Sequence, residues 1–180
     1  MNSEISKTLE CLKNGGIIIY PSDTIWAIGC DATNSKAIKK IFKIKKRNSS
    51  LPLICLVNDY EMLKKYVNFT DKIQDFLNLQ KKPTTIIYNN IKKLSFYKES
   101  VAIRIPKDDF CQKLISEFNK PITSTSVNIS GNKFPECFDE IKDDILNQID
   151  YAVNLKRNQK LKTPSQIIKI DGDSFNKLRS

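Results

Sequence analysis

YPSDTIWAIGCDA, from Tyr20 to Ala32, is the stretch on which the reading of this chain turns. It follows Gly15-Gly16, which ends a helix, and Ile17 to Tyr20, which reads as a strand. The strand then empties into a proline, two hydroxyls, a carboxylate and the chain's only tryptophan, followed by a glycine and a cysteine. The residues fit either a plain loop or the floor of a binding site.

Working outward, Ile5, Leu9 and Leu12 have helical spacing upstream. Downstream, Asn34 or Ser35 can cap a helix with Ala37, Ile38, Ile41 and Phe42 on one face. KIKKR, Lys43 to Arg47, sits at its C-terminal end, where cations suit the helix dipole. Strands are predicted at Leu51–Val57, Thr84–Tyr88, Ser100–Pro106, from Pro121 into a hydroxyl-rich turn, at Tyr151–Asn154 and at Gln166–Ile170. Helices are predicted around Asp59–Tyr66 and Asp71–Leu79, from Asp108 or Asp109 through Phe118, and over Pro135–Leu146. Strands and helices interleave along the whole length, with no repeat and no linker. The expectation is one α/β domain over 1–180 with a mixed sheet.

Composition excludes several chemistries. There is no histidine, which removes His-based triads and most zinc catalysis. The five cysteines, Cys11, Cys30, Cys55, Cys111 and Cys137, are scattered without a CxxC pair and read as buried thiols. No apolar run approaches a membrane span, and the N-terminus lacks a signal-peptide pattern, so a cytoplasmic location is expected. The net charge of +10 invites an anionic partner. Yet only Arg47, Arg104, Arg157 and Arg179 of the 30 basic residues are arginine, which leaves 26 lysines. Lysine enrichment is chain-wide and says little; a retained arginine marks a need for a planar, bidentate fork.

Four segments carry polar groups that packing does not require. Ser22, Asp23 and Thr24 of YPSDT could simply cap a turn. KIKKR could be a solvated helix end. Arg104 interrupts an apolar strand, sharing a face with Ala102 and opposing Ile103 and Ile105. TSTSVNISG packs hydroxyls, an amide and a glycine together and could be a plain turn. Jointly they favour a polar, anionic ligand. Neither GxxxxGK[ST] nor GxGxxG occurs, so a nucleotide would bind without the common glycine loops.

In this order the segments resemble the YrdC family of threonylcarbamoyl-AMP synthases. That family's opening pattern, similar to YPTDTVYGLGCDA, stands here as YPSDTIWAIGCDA. Its K-x-R stands as Lys45-Lys46-Arg47, its vRiP strand as AIRIP, and its TSAN-x-SG as TSVNISG, Thr125 to Gly131. Its pSTIvd segment stands as TPSQIIKI and its terminal LR as Leu178-Arg179. The resemblance covers about residues 10 to 180 and implies a twisted mixed sheet with flanking helices around a basic groove. It implies formation of threonylcarbamoyl-adenylate and pyrophosphate from L-threonine, bicarbonate and ATP, with Mg²⁺ accompanying ATP. A separate transferase complex would then pass the threonylcarbamoyl group to ANN-decoding tRNAs.

By the same resemblance, Lys45, Arg47, Ser126 and Asn128 would bind ATP and support the reaction, with Ser100 and Arg179 as further nucleotide contacts. Thr24, Arg104 and Ser165 would surround threonine, with Ser22 and Ser124 nearby. No protein metal ligands are implied. Ser22 stands for Thr, Trp26 for a Tyr of the aromatic wall, and Ala27 for a turn Gly; Asn48, Leu51 and Gln166 also depart from the pattern. The chain resembles the short form of the family. A rival reading is an RNA-binding module using the same basic groove without chemistry, although no interleaved aromatic–basic sheet face of the RNP kind is evident.

Overall fold

The computed structural model describes residues 1–48, 53–172 and 174–180. Leu51 and Pro52, part of one expected strand, lie outside the described residues, as does the Leu51 departure. The first helix, α1 (Asn2–Lys13), buries Ile5, Leu9 and Leu12. It ends where Gly15 turns left-handed at φ 75°, a conformation glycine adopts without steric cost.

The opening segment is a strand in its second half. β1 (Ile18–Pro21) and β2 (Trp26–Gly29) pair antiparallel around the Ser22–Ile25 turn. Every residue of both strands is buried, so no polar alternation marks them in the sequence. Ala27 therefore lies opposite Tyr20 within the sheet, not at a turn. Trp26 is fully buried, edge-on to Phe138 at 5.3 Å, and belongs to the core. Gly29 is dictated by crowding: a Cβ there would lie 2.1 Å from the Thr123 carbonyl oxygen and 2.9 Å from the Tyr20 ring.

The other strands are β3 (Ile54–Leu56), β4 (Thr84–Asn89), β5 (Ser100–Arg104), β6 (Ile122–Ser126), β7 (Tyr151–Ala152), β8 (Gln166–Asp171) and β9 (Ser174–Arg179). Among the described residues they form one mixed sheet in the order β7-β1-β2-β6-β3-β5-β4-β8-β9. β6 joins the halves, antiparallel to both β2 and β3. The helices are α2 (Ser35–Ile44), α3 (Tyr60–Lys64), α4 (Asp71–Asn78), α5 (Asp109–Phe118) and α6 (Asp143–Leu146). Side-chain caps start four of them. Asn34 accepts from Lys36 and Ala37 N–H, Asp59 from Met62, Thr70 from Ile73 and Asp108 from Cys111. α1 packs on β1 and α5, and α2 packs on β2. No described helix is long and apolar enough to cross a membrane.

Two expectations fail. The helix over Pro135–Leu146 reduces to a 3₁₀ turn at Phe138–Glu140 and the short α6. The backbone there bonds outward instead: Phe138 N–H donates to Arg157 O at 3.2 Å, and Leu161 N–H donates to Glu136 O at 2.7 Å. Arg157 is half-buried with its guanidinium 3.9 Å from the Phe138 ring centroid. The sheet also continues past β8 into β9, held by a hairpin and by Phe175 stacked on Phe76 at 4.0 Å.

Candidate functional site

The strand register puts the predicted strand residues on one face. Partners directly opposite one another project to the same side. Ser126 pairs with Ala27, Ser124 with Ile54, Ile54 with Ala102, and Leu56 with Arg104. Alternation along β5 and β6 then places Ser100, Arg104, Ser124 and Ser126 on a common face across the middle of the sheet. Ile103 and Cys55 point the other way.

One half of the site is built on the end of α2. Lys46 N–H donates to Lys43 O and Arg47 N–H to Phe42 O, both at 3.0 Å, closing a Schellman motif. Lys46 occupies its left-handed position at φ 47°, where glycine is the favoured residue. That turn sends the Lys45 and Arg47 side chains different ways. Lys45 is 1% exposed and donates to Ser126 O, to Asn128 O at 2.8 Å and to Asn128 Oδ1 at 3.5 Å. Burial and the nearby charge of Arg47 push its ammonium down to about 7. Asn128 Nδ2 donates to Ile129 O at 3.1 Å and Asn132 O at 2.6 Å. The Ser126 hydroxyl makes no hydrogen bond among the described residues.

Arg47 is half-buried, which lowers its pKa, and lines a cavity of about 1010 Å³. Among the described residues, Lys39, Lys43, Lys46 and Lys98 share that wall with a single carboxylate, Glu99, and with Ser100.

The other half centres on Arg104, which is 3% exposed. Nη1 donates to Asp23 Oδ1 in an ion pair, and Nη2 donates to Thr24 Oγ1 at 3.3 Å. Asp23 Oδ2 accepts from Lys107 N–H at 3.0 Å. Arg104 Nε is buried with no partner among the described residues. Ser22 Oγ is engaged within the hairpin turn, meeting Thr24 Oγ1 at 2.9 Å and donating to Ile25 O at 2.8 Å. Ser124 lies against the Tyr20 hydroxyl.

Ser165 and Arg179 form a third group. Arg179 Nε and Nη2 donate to Ser165 O at 3.0 and 2.6 Å, and Ser165 Oγ meets Thr85 Oγ1 at 2.8 Å. Arg179 and Ser165, assigned by resemblance to different substrates, are thus direct neighbours. Gln166 turns away, donating to Thr84 Oγ1 at 2.7 Å and Gln80 Oε1 at 2.9 Å.

Sequence reasoning passed over Asp23 and Thr85 as partners of site residues. Asp23 had a signal, a carboxylate between two hydroxyls in a chain with a lone strand arginine. Thr85 had none beyond its place in a strand. Among the described residues no cluster of three or more His, Cys, Asp or Glu could hold a metal ion.

Comparison with known proteins gives concordant results. The Sua5/YciO/YrdC family model, described as telomere recombination, matches residues 10–180. The threonylcarbamoyl-AMP synthase of Vibrio vulnificus is 31% identical over 157 residues, covering 83% of this chain and 84% of its own. A Methanocaldococcus jannaschii protein provisionally given the same name is 34% identical over 183 aligned positions, covering 98% of this chain and 86% of its own. The structure of P. abyssi Sua5 complexed with L-threonine superposes with a TM-score of 0.82 at 22% identity over 94% of this chain. This chain spans about half of that protein, 52% of its length, and the likeness establishes the fold.

Proposed function

Because this chain belongs to the Sua5/YciO/YrdC family, we propose that it is a threonylcarbamoyl-AMP synthase, a nucleotidyltransferase acting on L-threonine, bicarbonate and ATP. The observation that carries the reading is a difference in charge between two clusters, one around Arg104 on the sheet and one at the end of α2 beside Ser100. The Arg104–Asp23 pair is balanced, as a zwitterionic amino acid requires. The cavity wall holds five cations, Arg47 included, against one carboxylate among the described residues, a balance that suits a triphosphate.

The chemistry follows in two steps. Threonine's neutral amine attacks the carbon of bicarbonate and water leaves, giving the carbamate. A carbamate oxygen then attacks the α-phosphorus of ATP, and the bond from that phosphorus to the bridging oxygen breaks to release pyrophosphate. Both steps gather anions, so the protein's work is clamping and positioning. Arg104 offers unspent donors to threonine's carboxylate, with Thr24 alongside and Ser22, Ser124 and Ser165 around it. Arg47 faces the phosphates, with Ser100, Ser126 and Arg179 as polar contacts and Lys45 and Asn128 shaping the 126–132 loop. Mg²⁺ would enter with ATP as part of that substrate and would offset phosphate charge. The product would pass to a tRNA threonylcarbamoyl transferase.

One assay tests this. Protein, ATP, Mg²⁺ and bicarbonate are mixed, and pyrophosphate is measured with and without threonine. A threonine-dependent signal is expected. Release indifferent to threonine, or none at all, would refute the assignment.

A further inference from the structure

Lys45 is buried as deeply as the aliphatic core, yet among the described residues no carboxylate pairs with it. Its three donors meet three oxygens of one loop: Ser126 O, Asn128 O and Asn128 Oδ1. An ammonium has three donors and no more. The same residue's carbonyl accepts from Ser130 N–H at 2.9 Å, so the loop and the end of α2 are joined in both directions. Asn128 spends its amide inside the loop as well. Of these polar side chains, the Ser126 hydroxyl is the one without a protein partner among the described residues.

We infer that Lys45 is a positioning residue: it pins the 126–132 loop so that Ser126 and the loop N–H groups face the nucleotide, and Arg47, not Lys45, meets the phosphates. The inference rests on reading this half as a nucleotide site. The loop needs such a pin because it runs beyond the last residue of β6 and turns through Gly131 at φ 89°, outside the sheet's ladder. The three oxygens replace the water that burial removes, and so oppose the downward pull of desolvation on the ammonium. Giving one of them up to reach a phosphate would unmake the latch.

The test combines hydrogen exchange at the Val127–Gly131 amides with binding of ATP, ADP, AMP and threonine, using the full chain. In Lys45→Met and in Lys45→Arg, exchange in this loop should quicken about tenfold or more. Affinity should fall by a similar factor for all three nucleotides, while threonine affinity holds within about twofold, a split that global destabilisation would not produce. Arg47→Met should instead lose most with ATP and least with AMP, since it removes a phosphate contact. Unchanged exchange in the variants overturns the inference. So does a Lys45→Arg protein that binds ATP normally while the loss in Lys45→Met grows from AMP to ATP. If Lys45→Met does not fold, Lys45→Arg decides between the same outcomes. If the unmodified protein binds no nucleotide, the function reading fails, and the exchange rates still judge the pin.

Discussion

Arg104 and Lys45 are both almost fully buried cations on one site, and the fold accommodates them in opposite ways. Arg104 faces a carboxylate, Asp23, and a hydroxyl, Thr24. Among the described residues, Lys45 hydrogen-bonds to neutral oxygens of the 126–132 loop alone. The first arrangement cancels charge and leaves guanidinium donors over, which suits a ligand bearing both signs. The second keeps a positive charge beside Arg47 and the lysine-lined cavity, which suits a polyanion. On the proposed reading, two substrates of different charge would each meet a half tuned separately.

The comparison breaks most easily at Asp23. Asp23→Ala would strand the Arg104 guanidinium in the interior, and removing one partner of a buried pair costs about 3–5 kcal/mol. The loss should appear as a lowered denaturant midpoint. Replacing both residues, Asp23→Ala with Arg104→Met, should recover most of it. A single variant no weaker than an ordinary surface substitution would show that the pair is not what neutralises this half.

Arg104→Ala comes next. Asp23 is the more exposed partner, at 13% against 3%, so water can solvate its carboxylate when the arginine goes. The expected cost falls on function: about 2–4 kcal/mol of transition-state stabilisation, roughly 10²–10³ in rate. The threonine KM should rise far more than the ATP KM. Equal rises in both would mean that the halves are not separate.

Acidity separates the halves further. Lys45 is lowered from 10.5 to about 7, so between those values the unfolded chain holds the proton more firmly than the folded one. This residue's contribution therefore makes stability rise with pH across that window. Nucleotide affinity should move oppositely, because a neutral amine loses one donor and its charge-assisted bonds; the change is about threefold to tenfold. Lys45→Arg, which cannot deprotonate, should abolish both trends. Affinity that climbs with stability would contradict the latch.

The arrangement of the candidate site was partly legible in the sequence because it is built on rare residues. Arginine stands out in a lysine-rich chain, and Arg47, Arg104 and Arg179 all meet named polar groups or line the cavity. The Asn34 cap and the one-sided apolar face of α2 were readable for local reasons: a side-chain oxygen and a period. What stayed hidden depended on distant partners. β2 is buried on both faces and shows no alternation. β9 has few apolar residues and exists through its hairpin and the Phe76–Phe175 stack. Residues 137–145 place Cys137, Ile141 and Ile145 at helical spacing, but their neighbours' N–H and C=O groups pair with 157 and 161. Spacing reports a face to bury; it does not report which backbone groups are already taken.

The smallest effect concerns the turn that divides Lys45 from Arg47. Lys46 sits at φ 47° in the left-handed region, which costs a residue with a Cβ about 1–2 kcal/mol. Lys46→Gly removes that cost, while glycine's freedom in the unfolded chain takes part of the gain back. The net should be a stabilisation of about 0.5 kcal/mol, or roughly 1–2 °C in Tm for a chain of this size. The exposed Lys46 charge on the cavity wall is screened by solvent, so ATP affinity should fall by less than about threefold. A destabilised Lys46→Gly protein would mean that the turn is not strained and that the Lys46 side chain does more than line the cavity. A stabilised one with near-normal ATP binding would sharpen the contrast between the halves. The phosphate half would then depend on a backbone turn that glycine makes better, and the threonine half on an ion pair with no such substitute.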